Sequence, residues 1–341
     1  MTGTMRAAVW TAPERIEYKE VKRPTAGPGE ALVKVGYGGI CGSDIMIYLG
    51  QHPRAKPPLI LCHEFSGTVV ESAGDAFAEG TRVVINPLLF CGDCYACNSG
   101  IPHICENLGL VGIDQDGGFA EYAVVPLHTI HVLPESISMA RGALVEPLAV
   151  AVHAVRASAL KVGDVTAVLG AGPVGILTAQ VARLAGAREV FVSELSPKRK
   201  EIARELGFEV IDVAEQDPVE VILDATDGVG VPVAFDAAGV QATVDQTGKI
   251  VRPGGQILQV GMPKTPPTVD MTMLLFREIT RKPIRVYTDE DVSKAVAIAA
   301  TGEVDLETPV THTMPLEALD EAMEIAHRGT EACKILLSPD L

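Results

Sequence analysis

The first 135 or so residues are patterned for strands. Residues 31–39 (ALVKVGYGG), 65–74 (FSGTVVESAG), 81–89 (TRVVINPLL) and 119–126 (FAEYAVVP) are short runs rich in Val, Ile, Tyr and Thr, the residues that suit a pleated, half-buried surface. Pro28-Gly29, Pro57-Pro58 and Gly117-Gly118 cut between such runs and predict turns. From about residue 143 the texture changes. Residues 143–158 (ALVEPLAVAVHAVRAS) read as a mostly buried helix. Strand patterns at 165–170, 189–194, 233–239 and 256–261 then alternate with helical patterns at 175–186 and 196–207. Alternation of this kind predicts a parallel sheet with helices on both faces, an α/β class. Beyond about 288 come two helical runs, 289–302 and 315–329, and a closing strand at 333–337 (CKILL).

Size and composition narrow the picture. A chain of 341 residues exceeds the usual single core, so two domains are expected. Hydrophobic residues at 47% and charged residues at 21% give an ordinary globular mixture. The net charge of −16 opposes phosphate backbones and anionic membranes, so neither nucleic acid nor a membrane surface is an expected partner. The most apolar stretch, Val165 to Ala187, contains Gly170, Gly172, Pro173, Gly175, Gln180 and Arg183. It reads as a buried strand, turn and helix rather than a membrane span. Met1 to Val9 has no long apolar run, so no signal peptide is read there. A reducing, cytoplasmic setting is expected for the seven cysteines.

Four of those seven fall within fifteen positions: Cys91, Cys94, Cys97 and Cys105. Four thiolates at short intervals can wrap one tetrahedral ion, zinc by preference. Such a set leaves no open position, so the site is expected to be structural. Two disulfides are the alternative. The glycine run Gly170-Ala171-Gly172-Pro173-Val174-Gly175 follows a strand pattern and opens a helical one, the context a dinucleotide turn needs. Gly170 permits the tight turn, Gly172 close approach of a pyrophosphate, and Gly175 helix–strand packing. Free N–H groups at the helix start then face the phosphates. Glu194 ends the next strand pattern, where a carboxylate accepts from ribose hydroxyls and repels a 2′-phosphate, favouring NAD over NADP. Lys198 and Arg199, close behind, pull the other way. A glycine-rich structural turn beside a solvated Glu is the plain alternative.

A second metal site is weaker on residue types alone. Cys41, His63-Glu64 and Glu146 are a mixed set that suits a zinc with an open fourth position. Taken singly, each also reads as a core Cys, a surface pair or a helix cap.

Together these motifs resemble the medium-chain zinc-dependent alcohol dehydrogenase family over nearly the whole chain. The residues that carry the likeness are CGSD at 41–44, HEFSG at 63–67, the four-Cys run, DGGFAEY at 116–122, VEP at 145–147 and GAGPVG at 170–175. The chain is most similar to the polyol branch of sorbitol, threonine and butanediol dehydrogenases. The resemblance implies a GroES-like catalytic domain with a structural zinc lobe (1–150 and 288–341) and a Rossmann NAD-binding domain (151–287). It implies two zinc ions per chain. Cys41 and His63 would bind the catalytic one, with Glu64 or Glu146 as the carboxylate. Ser43 would touch the reacting oxygen and pass its proton outward, Asp44 would hold the loop, and Tyr48, Phe119 and Arg285 would meet the substrate. The implied reaction is oxidation of a secondary alcohol, such as a polyol, cyclitol or sugar alcohol, with hydride passing to the nicotinamide. Threonine- or butanediol-type oxidation is the runner-up. A zinc-free reductase or sensor on the same fold is a further alternative, but it should lack Cys41 and His63. A homo-oligomer is implied, a tetramer before a dimer.

Two positions depart from the family pattern. Cys62 stands where Gly usually precedes the His-Glu pair, and Met46 stands where many relatives carry a proton-relay His. Cys62 is read as a small core residue. With Met46 in place, the proton is expected to leave by water, the other routes being a cofactor ribose hydroxyl or His52.

Overall fold

The computed structural model describes residues 3–341. The chain forms two compact units: Met1–Glu146 with Thr288–Thr301 and Val310–Leu341, and Pro147–Tyr287 with Gly302–Pro309. The expected boundary at 150/151 falls inside the helix Val145–Arg156, and the units divide instead at 146/147. Residues 302–309 group with the second unit. The buried Gln180 amide explains this: it donates to the Asp305 carbonyl (2.9 Å) and accepts from its N–H (2.8 Å).

The first unit is built around strand β3 (Glu30–Gly39). Ahead of it, β1 (Thr4–Ala12) pairs with β2 (Arg15–Lys22) and with the short β4 (Leu59–Ile60). Helix α1 (Gly42–Tyr48) follows β3 directly. Strand β5 (Glu64–Ser72) pairs antiparallel with β3 and sets Gly39 opposite Glu64. On the other side of β3 runs the closing strand Lys334–Ser338, which pairs Leu336 with Gly39. Every residue of that closing strand is buried.

The second unit holds a six-stranded parallel sheet. Its order is Glu209–Asp212, Glu189–Glu194, Val165–Leu169, Val231–Asp236, Val251–Gln259, Thr280–Pro283. This is the doubly wound order in which the chain reverses direction beside its first strand. The central strands are apolar on both faces, with Ala167, Leu169, Phe191, Ala234 and Ile257 in one core, as a covered parallel sheet requires. The four strands read from the sequence are all present. The two edge strands escaped that reading for a physical reason. Glu209–Asp212 is four residues with a carboxylate at each end, and Thr280–Pro283 reads TRKP, so neither carries an apolar signal. Helices Pro173–Leu184 and Pro197–Glu205 both open with Pro at the first position, where its missing N–H costs nothing. Among the described residues no helix is long and apolar enough to cross a membrane.

Candidate active site

The four cysteines come together as their spacing predicts. A one-turn helix, Tyr95–Asn98, lifts Cys97 back toward Cys94, and Cys105 closes the loop from below. The sulfur–sulfur separations are 3.5 Å (Cys94–Cys97), 3.8 Å (Cys94–Cys105) and 3.5 Å (Cys91–Cys105). A zinc–sulfur bond of about 2.3 Å gives a tetrahedron edge of about 3.8 Å, so this donor set fits one zinc ion. All the cysteines are free thiols, which removes the disulfide alternative.

The mixed site is assembled from three places in the sequence. Cys41 sits at the mouth of α1, where Asp44 accepts its backbone N–H at 2.9 Å. His63 and Glu64 enter at the start of β5. The ligand atoms of Cys41, His63 and Glu64 lie within 4.8 Å of one another. The carboxylate of Asp44, with no exposed surface, stands 3.9 Å from His63 Nδ1. Ser43 Oγ, Asp44 Oδ1 and His63 Nδ1 are buried without a hydrogen-bond partner. Burial alone would lower the His63 pKa, but Cys41, Asp44 and Glu146 outweigh it and hold it well above its ordinary value. Burial raises the Asp44 carboxyl. Cys41, His63 and Glu64 thus present one sulfur, one imidazole and one carboxylate oxygen to a common point. Such a donor set fits zinc with one position left open. Glu146, buried in the first turn of Val145–Arg156, lies outside the Cys41–His63–Glu64 triangle, but its charge reaches His63.

The family motifs have visible jobs around this site. Cys62 adopts φ +84°, an unusual value for a residue with a side chain. A Cβ on Gly117 would lie 2.1 Å from the Cys62 carbonyl oxygen, and one on Gly118 2.5 Å from Phe65 Cγ. Gly118 N–H donates to that same carbonyl at 2.9 Å, and Asp116 accepts the Ile60 N–H at 2.9 Å. DGGFAEY is therefore a clamp on the turn that presents His63. Cys62 itself has no exposed surface, and its Sγ lies 3.5 Å from the Glu64 carbonyl oxygen and 3.7 Å from that of Gly39. Burial pushes its thiol well above the ordinary range, and Cys62 stands outside the Cys41–His63–Glu64 cluster, which fits a small core residue.

One residue of this site went unread in the sequence. Lys334, at the start of the closing strand, is 1% exposed and forms an ion pair with Glu64. Burial alone would lower its pKa, but Glu64 and Cys41 raise it. A lysine inside the apolar run CKILL was the available signal, because a buried ammonium requires a carboxylate.

Three expected substrate contacts are placed as follows. Phe119 has no exposed surface and packs beside Gly38, so it offers no wall to a substrate. Tyr48, also buried, has Asp320 and Glu324 near its hydroxyl; burial first, then these carboxylates, push its pKa up to about 12. Phe119 is a structural contact, because an aromatic ring so enclosed has no face left for a ligand, whereas Tyr48 borders a surface cleft with Glu14, Glu324 and Arg328. Arg285 is exposed, in the second unit. His52 Nδ1 accepts the N–H groups of Arg54 (3.3 Å) and Ala55 (3.2 Å). That nitrogen is occupied as an acceptor and is poorly placed to carry a proton outward.

In the second unit, Gly170 has φ +101°, and Gly172 caps Pro173–Leu184 ahead of Pro173 and Val174. A Cβ on Gly175 would lie 1.9 Å from the Gly170 carbonyl oxygen, whereas one on Gly172 would meet only the Arg199 side chain, at 3.8 Å. Gly172 therefore leaves its face open to a phosphate, and Gly175 is required for packing. Glu194 is buried rather than solvated. Its carboxylate accepts from the N–H groups of Ala171 (2.8 Å), Leu195 (2.7 Å) and Ser196 (2.8 Å). With about four lone-pair sites per carboxylate, roughly one remains for a ribose hydroxyl. Lys198 pairs with Glu201 at 2.9 Å on the surface.

Comparison with known proteins agrees with this geometry. Residues 27–135 match the alcohol dehydrogenase GroES-like domain, and residues 173–301 match the zinc-binding dehydrogenase domain. The chain is 36% identical over 312 residues to 2-dehydro-3-deoxy-L-galactonate 5-dehydrogenase of Pseudoalteromonas atlantica, covering 91% of each chain. It is 36% identical over 339 residues to L-threonine 3-dehydrogenase of Pyrococcus horikoshii, covering 96% of this chain and 97% of that one. Among solved structures, a zinc-binding dehydrogenase of Sinorhizobium meliloti bound to NADP superposes with a TM-score of 0.92 at 32% identity, covering 99% of this chain and 100% of that one. With a GroES-like domain, a doubly wound nucleotide sheet and ligand-type residues where the motifs put them, the chain belongs to the medium-chain zinc-dependent alcohol dehydrogenase family, in its polyol branch, and is a dehydrogenase of secondary alcohols.

Proposed function

We propose that this enzyme oxidises a secondary hydroxyl of a polyol, cyclitol, sugar alcohol or sugar acid to a ketone, with NAD preferred over NADP and two zinc ions per chain. The observation that carries the reading is the convergence of Cys41, His63 and Glu64 within 4.8 Å, with His63 and Glu64 buried and Cys41 half-buried. Cys41, His63 and Glu64 hold the catalytic ion, with Glu146 acting from outside the triangle. Cys91, Cys94, Cys97 and Cys105 hold the structural one. When bound, the zinc supplies Lewis acidity and the nicotinamide ring accepts the hydride. The chain's own residues do the rest. Asp44 orients His63 from behind. Ser43 Oγ, without a partner of its own, accepts the proton of the reacting hydroxyl and hands it to water, since Met46 carries none and His52 Nδ1 is engaged. The glycine turn and the first N–H groups of Pro173–Leu184 receive the pyrophosphate. The buried carboxylate of Glu194 takes one ribose hydroxyl and disfavours a 2′-phosphate. Arg285, exposed in the second unit, is kept as a substrate contact on the family resemblance alone.

Threonine-type oxidation is the second reading, favoured by the likeness to L-threonine 3-dehydrogenase. Assembly into a tetramer or dimer belongs to the same proposal. Its support is the exposed apolar set Met271 (67%), Leu275 (72%) and Phe276 (81%) beside the edge strand Thr280–Pro283. In the cell the enzyme is placed in the cytoplasm, where thiolate ligands persist.

Metal analysis combined with a substrate screen tests the reading. About two zinc per chain is expected, with nicotinamide reduction on polyols or sugar acids and higher kcat/KM with NAD than with NADP. One zinc or none would remove the mechanism, and turnover on L-threonine alone would select the second reading.

A further inference from the structure

Glu64 answers to two cations. It is one of the three ligand-type side chains of the open site, yet its Oε2 accepts from Lys334 Nζ, 270 residues further along the chain. Lys334 is 1% exposed and Glu64 2%, and Nζ also donates to the Ile40 carbonyl at 2.8 Å. The fold makes room for the pair. Gly39 stands opposite Glu64 in the β3–β5 ladder, and a Cβ there would lie 2.6 Å from Glu64 Oε2 and 2.9 Å from Lys334 Cε.

Stability is a poor account of this arrangement. A buried ion pair is often no more stabilising than apolar residues of the same volume, because both charges lose their water. Its position is more informative. An ammonium and a divalent cation seek the same carboxylate lone pairs. An ion at the centre of Cys41, His63 and Glu64 must share Glu64 with Lys334. A carboxylate so shared is a weaker donor than a free one.

We propose that Lys334 is a positioning residue that holds Glu64 back as a partial ligand, keeping the catalytic metal open to substrate. The inference rests on the reading of Cys41, His63 and Glu64 as a zinc centre. Without Lys334, Glu64 binds the ion fully and the site moves toward the closed character of the four-cysteine lobe. The carboxylate thus acts as an adjustable ligand, and the ammonium sets how far it reaches.

The test uses full-length protein, zinc-loaded and cobalt(II)-substituted, with Lys334→Met, Lys334→Gln and Lys334→Arg, each with and without Glu64→Gln. The glutamine variant keeps a neutral donor for Glu64 and Ile40, so the charge is tested even if the methionine variant fails to fold. Loss of the ammonium is expected to slow metal release to a chelator about tenfold and to lower kcat by about 10–100-fold, the usual range for a residue behind a metal ligand. The cobalt absorption bands should shift, and Lys334→Arg should restore all three readouts to within about threefold. In the Glu64→Gln background, Lys334→Gln should change metal release by less than about twofold. Metal release that is unchanged or faster, with only the thermal midpoint lowered, would overturn the proposal. So would an effect of Lys334→Gln that persists undiminished with Glu64→Gln, since the charge would then act without the carboxylate. Failure of the zinc reading itself appears earlier and differently: the parent protein would hold metal only at the four-cysteine lobe and show no turnover.

Discussion

The two ligand clusters of the first unit, read as a structural and a catalytic metal site, would solve opposite problems with overlapping chemistry. The lobe takes all four donors from one short stretch, all of one kind, and leaves nothing over. The other centre takes Cys41 from the mouth of a helix and His63 and Glu64 from the start of a strand, then ties Glu64 to a lysine on the last strand. The lobe needs only its own loop to form, whereas the open centre needs the folded sheet. A ligand set written locally is a scaffold, and one assembled by tertiary structure keeps the freedom to bind something else.

The sharpest way to break that contrast is to remove one sulfur from each. Cys41→Ser should lower kcat on the order of 10³-fold, since Lewis-acid stabilisation is worth several kcal/mol. It should leave the lobe metal and the thermal midpoint nearly unchanged. Cys105→Ser removes a buried ligand from a closed set. It should release the lobe metal and destabilise the protein by several kcal/mol, because the binding energy of a structural zinc is folding energy. Metal content and thermal melts on both variants check this. Equal loss of stability from the two would erase the distinction.

Next in size is the clamp behind the open centre. Gly117→Ala would place a Cβ 2.1 Å from the Cys62 carbonyl oxygen, a backbone atom that can move only with His63. Turnover should fall about 100-fold, the usual cost of roughly 1 Å of misplacement. The lobe metal should be retained. Gly92, in the lobe, has φ +82°, and a methyl added there would meet nothing within 4 Å, so Gly92→Ala costs backbone strain without touching a ligand. Its effect should appear in stability alone, at about 1 kcal/mol.

How much of this was legible beforehand follows the same division. The lobe could be read directly, because donors and spacing lie in one stretch. The glycine turn was readable for the same reason, and so were the central strands of the nucleotide sheet, which are continuously apolar. Cys41, His63 and Glu146 carried meaning only as a pattern shared with a family. Lys334 was missed because one lysine in CKILL looks like a strand with a stray charge until Glu64 is brought beside it. That Tyr48 and Phe119 are buried could not be read, because their positions in the sequence say nothing of the direction in which a side chain is buried. The edge strands Glu209–Asp212 and Thr280–Pro283 depend on neighbours for their pairing rather than on their own residues.

A smaller effect concerns the tether of α1. The helix carries Cys41 at its front and Tyr48 at its end, where burial and the carboxylates of Asp320 and Glu324 push the phenol up to about 12. The unfolded value is about 10. A pKa raised on folding means that the native state favours the neutral phenol. That contribution is present in full below about pH 10 and is lost as pH rises toward 12. Stability of the parent should therefore fall more steeply over this interval than that of Tyr48→Phe, as followed by alkaline unfolding. The lobe has no such tether, so its metal release should not follow Tyr48 ionisation.

The smallest expected effect is at Cys62, the sulfur nearest the open centre that binds nothing. Its φ of +84° suggests that glycine would relieve about 1 kcal/mol of strain. Its buried thiol fills the space beside Gly38, where a Cβ would lie 2.8 Å from Sγ, so glycine would also leave a gap. The two should nearly cancel, leaving Cys62→Gly within about 1 kcal/mol of the parent. Thiol reactivity separates the sulfurs more clearly. Burial keeps Cys62 protonated, whereas in the metal-free lobe backbone N–H groups at Cys97 and Glu106 lower Cys94 to about 6. Alkylation near pH 7 after chelation should therefore label Cys94 early and leave Cys62 untouched until the protein unfolds. Early labelling of Cys62 would mean that the turn presenting His63 opens when metal leaves. The open centre would then depend on its ion for structure as well as for chemistry, and the contrast with the lobe would narrow to the number of ligands.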